Sequence, residues 1–187
     1  MPHGPIKIQL PLNEETARSL VAGDVVSLSG VMYSARDAVH KKLCDLLDAG
    51  ESLPIEIFGQ TIYYMGPSPT KPGDVIGSAG PTTSYRMDAY APTLIAIGLK
   101  GMVGKGERGA NVVEAMKKHG AVYFAATGGA AALIARSIKE AEVVAFPELG
   151  PEAIRRLVVE DFEVIVAQDT YGGNLYKEGV EKYREVG

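Results

Sequence analysis

The stretch TLIAIGLKGMVGKGERGANVVEAMKKHGAVYFAA, Thr93 to Ala126, decides how the chain is read. Thr93–Leu99 is a short apolar run that reads as a buried strand. A glycine-rich turn follows. Ala110–His119 then reads as a helix, ended by Gly120 at the position where helices commonly stop, and Ala121–Ala126 as the next strand. Strand, glycine turn, helix and strand in succession is the grammar of a βαβ unit.

Working outward from that stretch, the pattern repeats toward the C-terminus. Ala130–Lys139 reads as a helix, Glu142–Phe146 as a strand, Pro151–Leu157 as a short helix and Phe162–Ala167 as a strand. Tyr171–Tyr176, with its Gly-Gly-Asn, reads as a turn. Toward the N-terminus β structure is richer. Ile6–Leu12 is expected at a sheet edge, Asn13–Leu20 as a short helix or turn, and Asp24–Val31 as a strand. Ser34–Leu47 is the clearest helix, with Val39, Leu43, Leu46 and Leu47 on one face at 3.6 periodicity. Ser34 with Asp37 fits a capping box, and Gly50 closes the far end. Ile55–Met65 reads as two short strands around Gly59. Gly66–Asp74, rich in proline and glycine, reads as a loop and not as a boundary, because strand-like sequence continues on both sides. The expected fold class is α/β, a single domain over residues 1–187 with a mixed sheet.

Composition agrees with that expectation and removes several function classes. At 187 residues, roughly 70% of the chain's surface can be buried, enough for one sizeable core. The hydrophobic fraction is 46% and the charged fraction 22%, ordinary for a globular protein, so bulk disorder is excluded. A formal charge of −4 makes a poor general nucleic-acid binder, because phosphate affinity needs a basic surplus. A single cysteine, Cys44, rules out an intrachain disulfide framework and a cysteine-ligated metal centre. It reads as an inert core residue. His3, His40 and His119 are too far apart to form a ligand pair at helical spacing, and no metal site is expected. No apolar run of about 18 residues exists, and the first nine residues lack an apolar signal core. The expected location is cytoplasmic.

Four segments could carry chemistry. Arg36 falls in the first turn of its expected helix, where a cation opposes the helix dipole and free N–H groups invite an anion. The alternative is an outward arginine paired with a surface acid. GSAGPTTSYRMD, Gly77–Asp88, offers three hydroxyls, Thr82, Thr83 and Ser84, with Arg86 close behind. Small residues admit a ligand to the backbone, and a guanidinium fork suits a carboxylate. The alternative is a turn whose hydroxyls cap it locally. GMVGKGERG, Gly101–Gly109, invites a P-loop reading that fails on count. Five residues separate Gly98 from Gly104, and Gly106 stands where the motif needs Ser or Thr. Lys105 near a helix start is still a plausible anion site, or else a solvent lysine. Thr127-Gly128-Gly129 reads as close helix–sheet packing.

Together these segments resemble the β subunit, or C-terminal domain, of the class I iron–sulfur fumarase and L-tartrate dehydratase family. The resemblance rests on SARDAVHKK (Ser34–Lys42), GSAGPTTSYRMD (Gly77–Asp88), VGKGERG (Val103–Gly109), KKHGAVYFAATGGAAALIA (Lys117–Ala135) and FPELGPEAI (Phe146–Ile154). It implies a swivelling β/β/α-type domain and reversible hydration of a dicarboxylate, fumarate to malate or its tartrate counterpart. It places Arg36, Arg86 and Lys105 around the substrate carboxylates, with Thr82 as proton-transfer residue and Thr83 beside it. It also implies a [4Fe–4S] cluster bound by a partner α subunit, and a heterotetramer of two αβ pairs. A stand-alone anion-binding module is the alternative from another class.

Overall fold

Two long strands organise the molecule. The computed structural model describes residues 4–126 and 131–183. In it β2 (Val25–Ser34) and β7 (Ile154–Gln168) run antiparallel from Val25 opposite Ile165 to Ser34 opposite Arg155. Strands β3 (Thr61–Tyr63), β4 (Gly101–Gly104) and β5 (Val122–Ala125) follow β2 in parallel, and β5 pairs antiparallel with β7. The order β2-β3-β4-β5-β7 closes on itself through β2 and β7, giving a five-stranded barrel. β1 (Ile6–Gln9) adds in parallel to the first half of β2, and β6 (Ile138–Ala145) adds antiparallel to the first half of β7. The sheet is therefore mixed and β1 is an edge, as expected. Helices α1 (Glu14–Ser19), α2 (Asp37–Asp48), α3 (Ala91–Ala96), α4 (Ala110–His119), α5 (Ala131–Ser137) and α6 (Leu175–Tyr183) complete the chain. No helix among the described residues is long and apolar enough to cross a membrane.

β2 serves two neighbours on one edge, β1 at Val26–Ser29 and β3 at Tyr33–Ser34. The change of partner falls at a register slip between Leu28 and Gly30. Gly30 sits at φ +120°, and a Cβ there would lie 2.8 Å from the Leu10 carbonyl oxygen. Only glycine lets the crossing β1 end pass so close.

The core splits into two layers by strand alternation. Tyr63, Val103, Val122 and Phe124 face one cluster with Leu28, Met32, Phe162 and Val164. Their neighbours Ile62, Tyr64, Met102 and Tyr123 face the other, with Val39 and Leu43 of α2, Leu94 and Ile95 of α3, and Val112 and Met116 of α4. Three helices thus cover the outer face of the parallel strands.

Several local expectations are corrected. Thr93–Leu99 is not a strand: α3 spans Ala91–Ala96, with Pro92 in its first turn, and the strand follows at Gly101. An apolar run of that length fits a buried helix equally well, and Pro at the first helical positions favours the helix. Pro151–Leu157 is not a helix. A 3₁₀ segment over Pro147–Glu152, kinked at Gly150 (φ 56°), reaches only Pro151 and Glu152 of that run, and Ile154 opens β7. Ile55–Gln60 forms a turn and no strand, because the Glu56 carboxylate accepts the backbone N–H groups of Ile57 and Phe58 at 3.0 Å. The chain enters α5 at Ala131 and leaves it at Ser137, so Ile138 and Lys139 belong to β6. The capping box is absent. Ser34 remains in β2, where its hydroxyl accepts from the Arg155 backbone N–H at 3.3 Å, and Arg36 itself is the N-cap of α2.

Candidate active site

The parallel strands β2, β3 and β4 all end on one side of the barrel, and the loops leaving them converge there. In α/β sheets, ligands sit outside the carboxyl ends of such strands. Arg36 comes two residues after β2. The chain leaves β3 at Tyr64 and returns through Pro81, which bridges to Met65, and Thr82, whose N–H donates to the Tyr64 carbonyl at 2.6 Å. Thr83 then pairs in parallel with Lys105, just past β4, and the Ser84 N–H donates to the Lys105 carbonyl at 2.9 Å. Thr82, Thr83 and Lys105 are thereby fixed side by side through their main chains. Lys105 is exposed, whereas Thr82 and Thr83 are half-buried.

A 3₁₀ turn, Ser84–Met87, carries Arg86 from that strip to the start of α2. There Arg86 Nη2 donates to Asp37 Oδ2 at 2.8 Å, and the other carboxylate oxygen lies 3.8 Å from Arg36 Nε. Arg36 also pairs with Glu152 at 3.0 Å. The structure therefore brings all five sequence-predicted residues, Arg36, Thr82, Thr83, Arg86 and Lys105, to one end of the barrel. It differs in one respect: Arg36 precedes the first turn of α2 and is not inside it. Thr127-Gly128-Gly129 lies outside the described residues.

Sequence reasoning missed the buried layer beneath this surface. The Arg108 side chain is fully buried between the faces of Tyr64 and Tyr123, its guanidinium carbon 5.1 and 5.2 Å from the ring centroids. Its Nε donates to Asp88 Oδ1 at 2.7 Å and its Nη1 to the Tyr64 hydroxyl at 3.1 Å. The second oxygen of Asp88 accepts from the N–H of Gly109, the α4 N-cap, at 2.7 Å. Tyr123 donates to the Gly106 carbonyl and meets the Ser84 hydroxyl, both at 2.8 Å. Burial pushes the Tyr123 phenol well up, so it stays protonated near neutrality and serves as a donor, not a base. The two tyrosines tie the Thr82–Lys105 strip to the barrel.

Gly104 makes this closeness possible. A Cβ there would collide with the Ser84 hydroxyl and lie 3.0 Å from Tyr64 Cδ2. Gly104→Ala should cost about 1–3 kcal/mol through overpacking, seen as a lowered urea midpoint at an unchanged slope. An unshifted midpoint would show that the strip gives way freely.

His40 is structural. It is fully buried against Tyr64, and its Nδ1 lies 2.8 Å from the Arg36 carbonyl, which can only accept. Nδ1 therefore carries the proton and Nε2 is a lone pair. Burial lowers its pKa to about 4. The unfolded chain binds this proton near pH 6.5 and the folded chain only near 4, so stability falls as pH drops through that window. The loss amounts to about 2–3 kcal/mol. His40→Phe should flatten that part of the stability–pH curve, measured by urea unfolding at pH 7 and 4.5. An equally steep fall in the variant would clear His40 of it.

The geometry places three cations and two hydroxyls near the ends of three parallel strands, with Asp37 and Glu152 paired to the two arginines, and guanidinium groups there suit a small acid. Comparison with known proteins points the same way. A family model described as Fumarase C-terminus matches residues 3–179. A protein named "Fumarate hydratase class I, anaerobic" from Escherichia coli (strain K12) is 44% identical over 159 residues, covering 84% of this chain and 29% of its own. One from Geobacillus stearothermophilus, "Putative fumarate hydratase class I", is 40% identical over 182 residues, covering 95% of this chain and 34% of its own. The chain thus spans about a third of these relatives' length. A protein of its own size also matches: "Putative L(+)-tartrate dehydratase subunit beta" from Methanocaldococcus jannaschii is 39% identical over 180 residues, 93% of this chain and 92% of the relative. With the family model covering nearly all of the barrel and every loop described above, the chain belongs to the Fumarase C-terminus family.

Proposed function

We propose that this chain is the β subunit of a two-subunit iron–sulfur hydro-lyase, a fumarate hydratase, in which it supplies the carboxylate-binding residues and acts as one swivelling β/β/α-type domain. The observation that carries the reading is the convergence of Arg36, Arg86, Lys105 and the Thr82–Thr83 pair at one end of the barrel. A diacid of charge −2 is held by Arg36, Arg86 and Lys105. Removing a proton beside a carboxylate builds a dianionic aci-carboxylate, and fixed cations aimed at it lower that barrier. Thr82 is the proton-transfer hydroxyl and Thr83 orients the bound acid. A threonine hydroxyl needs an activating base. Thr82 is fixed through its main chain, and the buried tyrosines nearby are protonated; in this reading the activating base is supplied by the partner.

The residues of this chain do not fit a [4Fe–4S] cluster. Such a cluster needs several thiolates, whereas the chain has one cysteine, Cys44, whose Sγ faces the Tyr90 carbonyl on the flank of α2. Among the described residues no three His, Cys, Asp or Glu side chains converge on a possible metal position. In this reading the cluster belongs to an α subunit, two αβ pairs form the enzyme, and it works in the cytoplasm. The match to a protein named as a tartrate dehydratase subunit beta supports a partner chain and a second reading with L-tartrate as substrate.

The test is co-expression with a cluster-bearing family α chain, reconstitution with iron and sulfide, and assay of the pair on fumarate, malate and L-tartrate. Fumarate–malate turnover supports the first reading. Turnover of tartrate alone supports the second. Inactivity on every hydroxy-diacid overturns both.

A further inference from the structure

Resting on the carboxylate-clamp reading above, we propose that Glu152 and Asp37 are positioning residues that hold the Arg36–Arg86 guanidinium pair in the orientation that receives the diacid. The two arginines would otherwise repel each other. Arg36 precedes α2 in extended backbone, and Arg86 projects from a 3₁₀ turn of four residues. Two carboxylates supply the alignment. Asp37 lies between the arginines, accepting a hydrogen bond from Arg86 and facing Arg36 Nε at 3.8 Å. Glu152 lies 3.0 Å from Arg36 Nε, an ion pair without hydrogen-bond geometry. Both approach Arg36 closest at Nε, the inner nitrogen. The terminal fork is the edge best matched to a carboxylate, and its Nη1 lies beside Gly66 of the β3 loop.

Glu152 can do this because its segment is tied down like a strap. Pro147–Glu152 crosses from β6 to β7, and the Arg155 guanidinium donates to the carbonyls of Gly150, Pro151 and Ala153 at 3.0–3.2 Å. At its other end Lys42 of α2 pairs with Glu148 at 2.6 Å and sits over the Phe146 ring. Gly66 completes the fit. A Cβ on it would lie 3.1 Å from the Pro151 carbonyl oxygen and 3.2 Å from Arg36 Nη1, so the strap, the β3 loop and Arg36 are in mutual contact. The strap's one function-facing side chain is therefore delivered to Arg36 by a rigid path that starts outside the clamp.

Positioning and simple charge competition predict opposite results. A carboxylate that merely competes with substrate would, on removal, tighten diacid binding. One that positions would, on removal, loosen it. We would measure kcat and KM of the reconstituted two-chain enzyme for Glu152→Ala and Glu152→Gln, and record Arg Nε–H resonances of the labelled chain. For Glu152→Ala, KM should rise about tenfold or more and kcat should fall with it, because a misplaced Arg36 loses both binding and its aim at the developing charge. Glu152→Gln keeps the side-chain size without the charge and should raise KM as well, because the Glu152–Arg36 contact is an ion pair with no hydrogen bond at Nε. The Arg36 Nε–H resonance should move toward the position of an exposed arginine in both variants. A KM that falls or is unmoved in Glu152→Ala, or an unmoved Arg36 resonance, overturns the inference while leaving the clamp reading standing. Failure of the unaltered pair to turn over any hydroxy-diacid overturns the clamp reading and this inference with it.

Discussion

Arg86→Lys should lower kcat/KM of the reconstituted enzyme by about 10²- to 10³-fold, the loss seen when one preorganised donor to a developing oxyanion is removed. The wild-type guanidinium spends one nitrogen on Asp37, at 2.8 Å, and still has other N–H groups set in the same plane for a ligand carboxylate. An ammonium on a flexible stem can satisfy Asp37 or the ligand, but it has no fixed plane with which to align both. Stability should barely change. The Arg86 side chain is 41% exposed, and a surface ion pair of that kind contributes about 0–1 kcal/mol. The decisive comparison is therefore kinetic against thermodynamic, with turnover assayed beside urea unfolding. Near-normal turnover would remove Arg86 from the clamp. A large drop in the urea midpoint would mean that the activity loss reports misfolding and not lost binding.

The residues of the proposed clamp stood out in the sequence because their settings are local. Gly-Pro-Thr-Thr and an arginine three residues on, or a lysine among glycines, are unusual side chains in short-range settings that small residues open to ligands. The βαβ grammar was legible for a similar reason: helix α4 with Gly120, and β5 after it, are specified by neighbours in sequence. What escaped depends on contacts between distant residues. Ser34 has the local marks of a helix cap, but β2 runs on to pair with β7, and the hydroxyl is claimed by Arg155 from 121 residues away. Pro151 has the local marks of a helix start, but Ile154, Leu157 and Val159 are drawn into a strand between β2 and β6. Barrel closure through β2 and β7 leaves no signature at either strand alone. Glu152 and Arg108 were passed over for the same cause. Each looks like a solvent charge in a glycine-containing segment, and only the fold shows that one faces Arg36 and the other lies between Tyr64 and Tyr123.

Arg108 gives the largest effect expected on stability. Arg108→Ala should cost about 3–5 kcal/mol, the range for removing one partner of a buried ion pair. Three losses combine. Asp88 keeps its bond to Gly109 but loses the cation opposite it. The Tyr64 hydroxyl loses the Nη1 donor. The space between two aromatic faces is left empty, so the cavity adds to the electrostatic loss. Arg108→Lys should recover only part, because an ammonium can reach Asp88 but cannot lie flat against both rings. The companion variant is Arg108→Met with Asp88→Asn. It removes the charge pair together and fills the volume, so it should be more stable than Arg108→Ala, since the cost lies in stranding one charge and not in lacking the pair. Urea unfolding of the three variants decides it. A cost below about 1 kcal/mol for Arg108→Ala would place the guanidinium in water, against the full burial of its side chain. The consequence reaches the clamp, because Asp88 lies two residues from Arg86 and its main-chain carbonyl accepts from Asn111 at 2.9 Å. Loosening the Arg108–Asp88 pair frees the turn that aims Arg86. Arg108→Ala should therefore raise KM for the diacid even at temperatures where the chain remains folded.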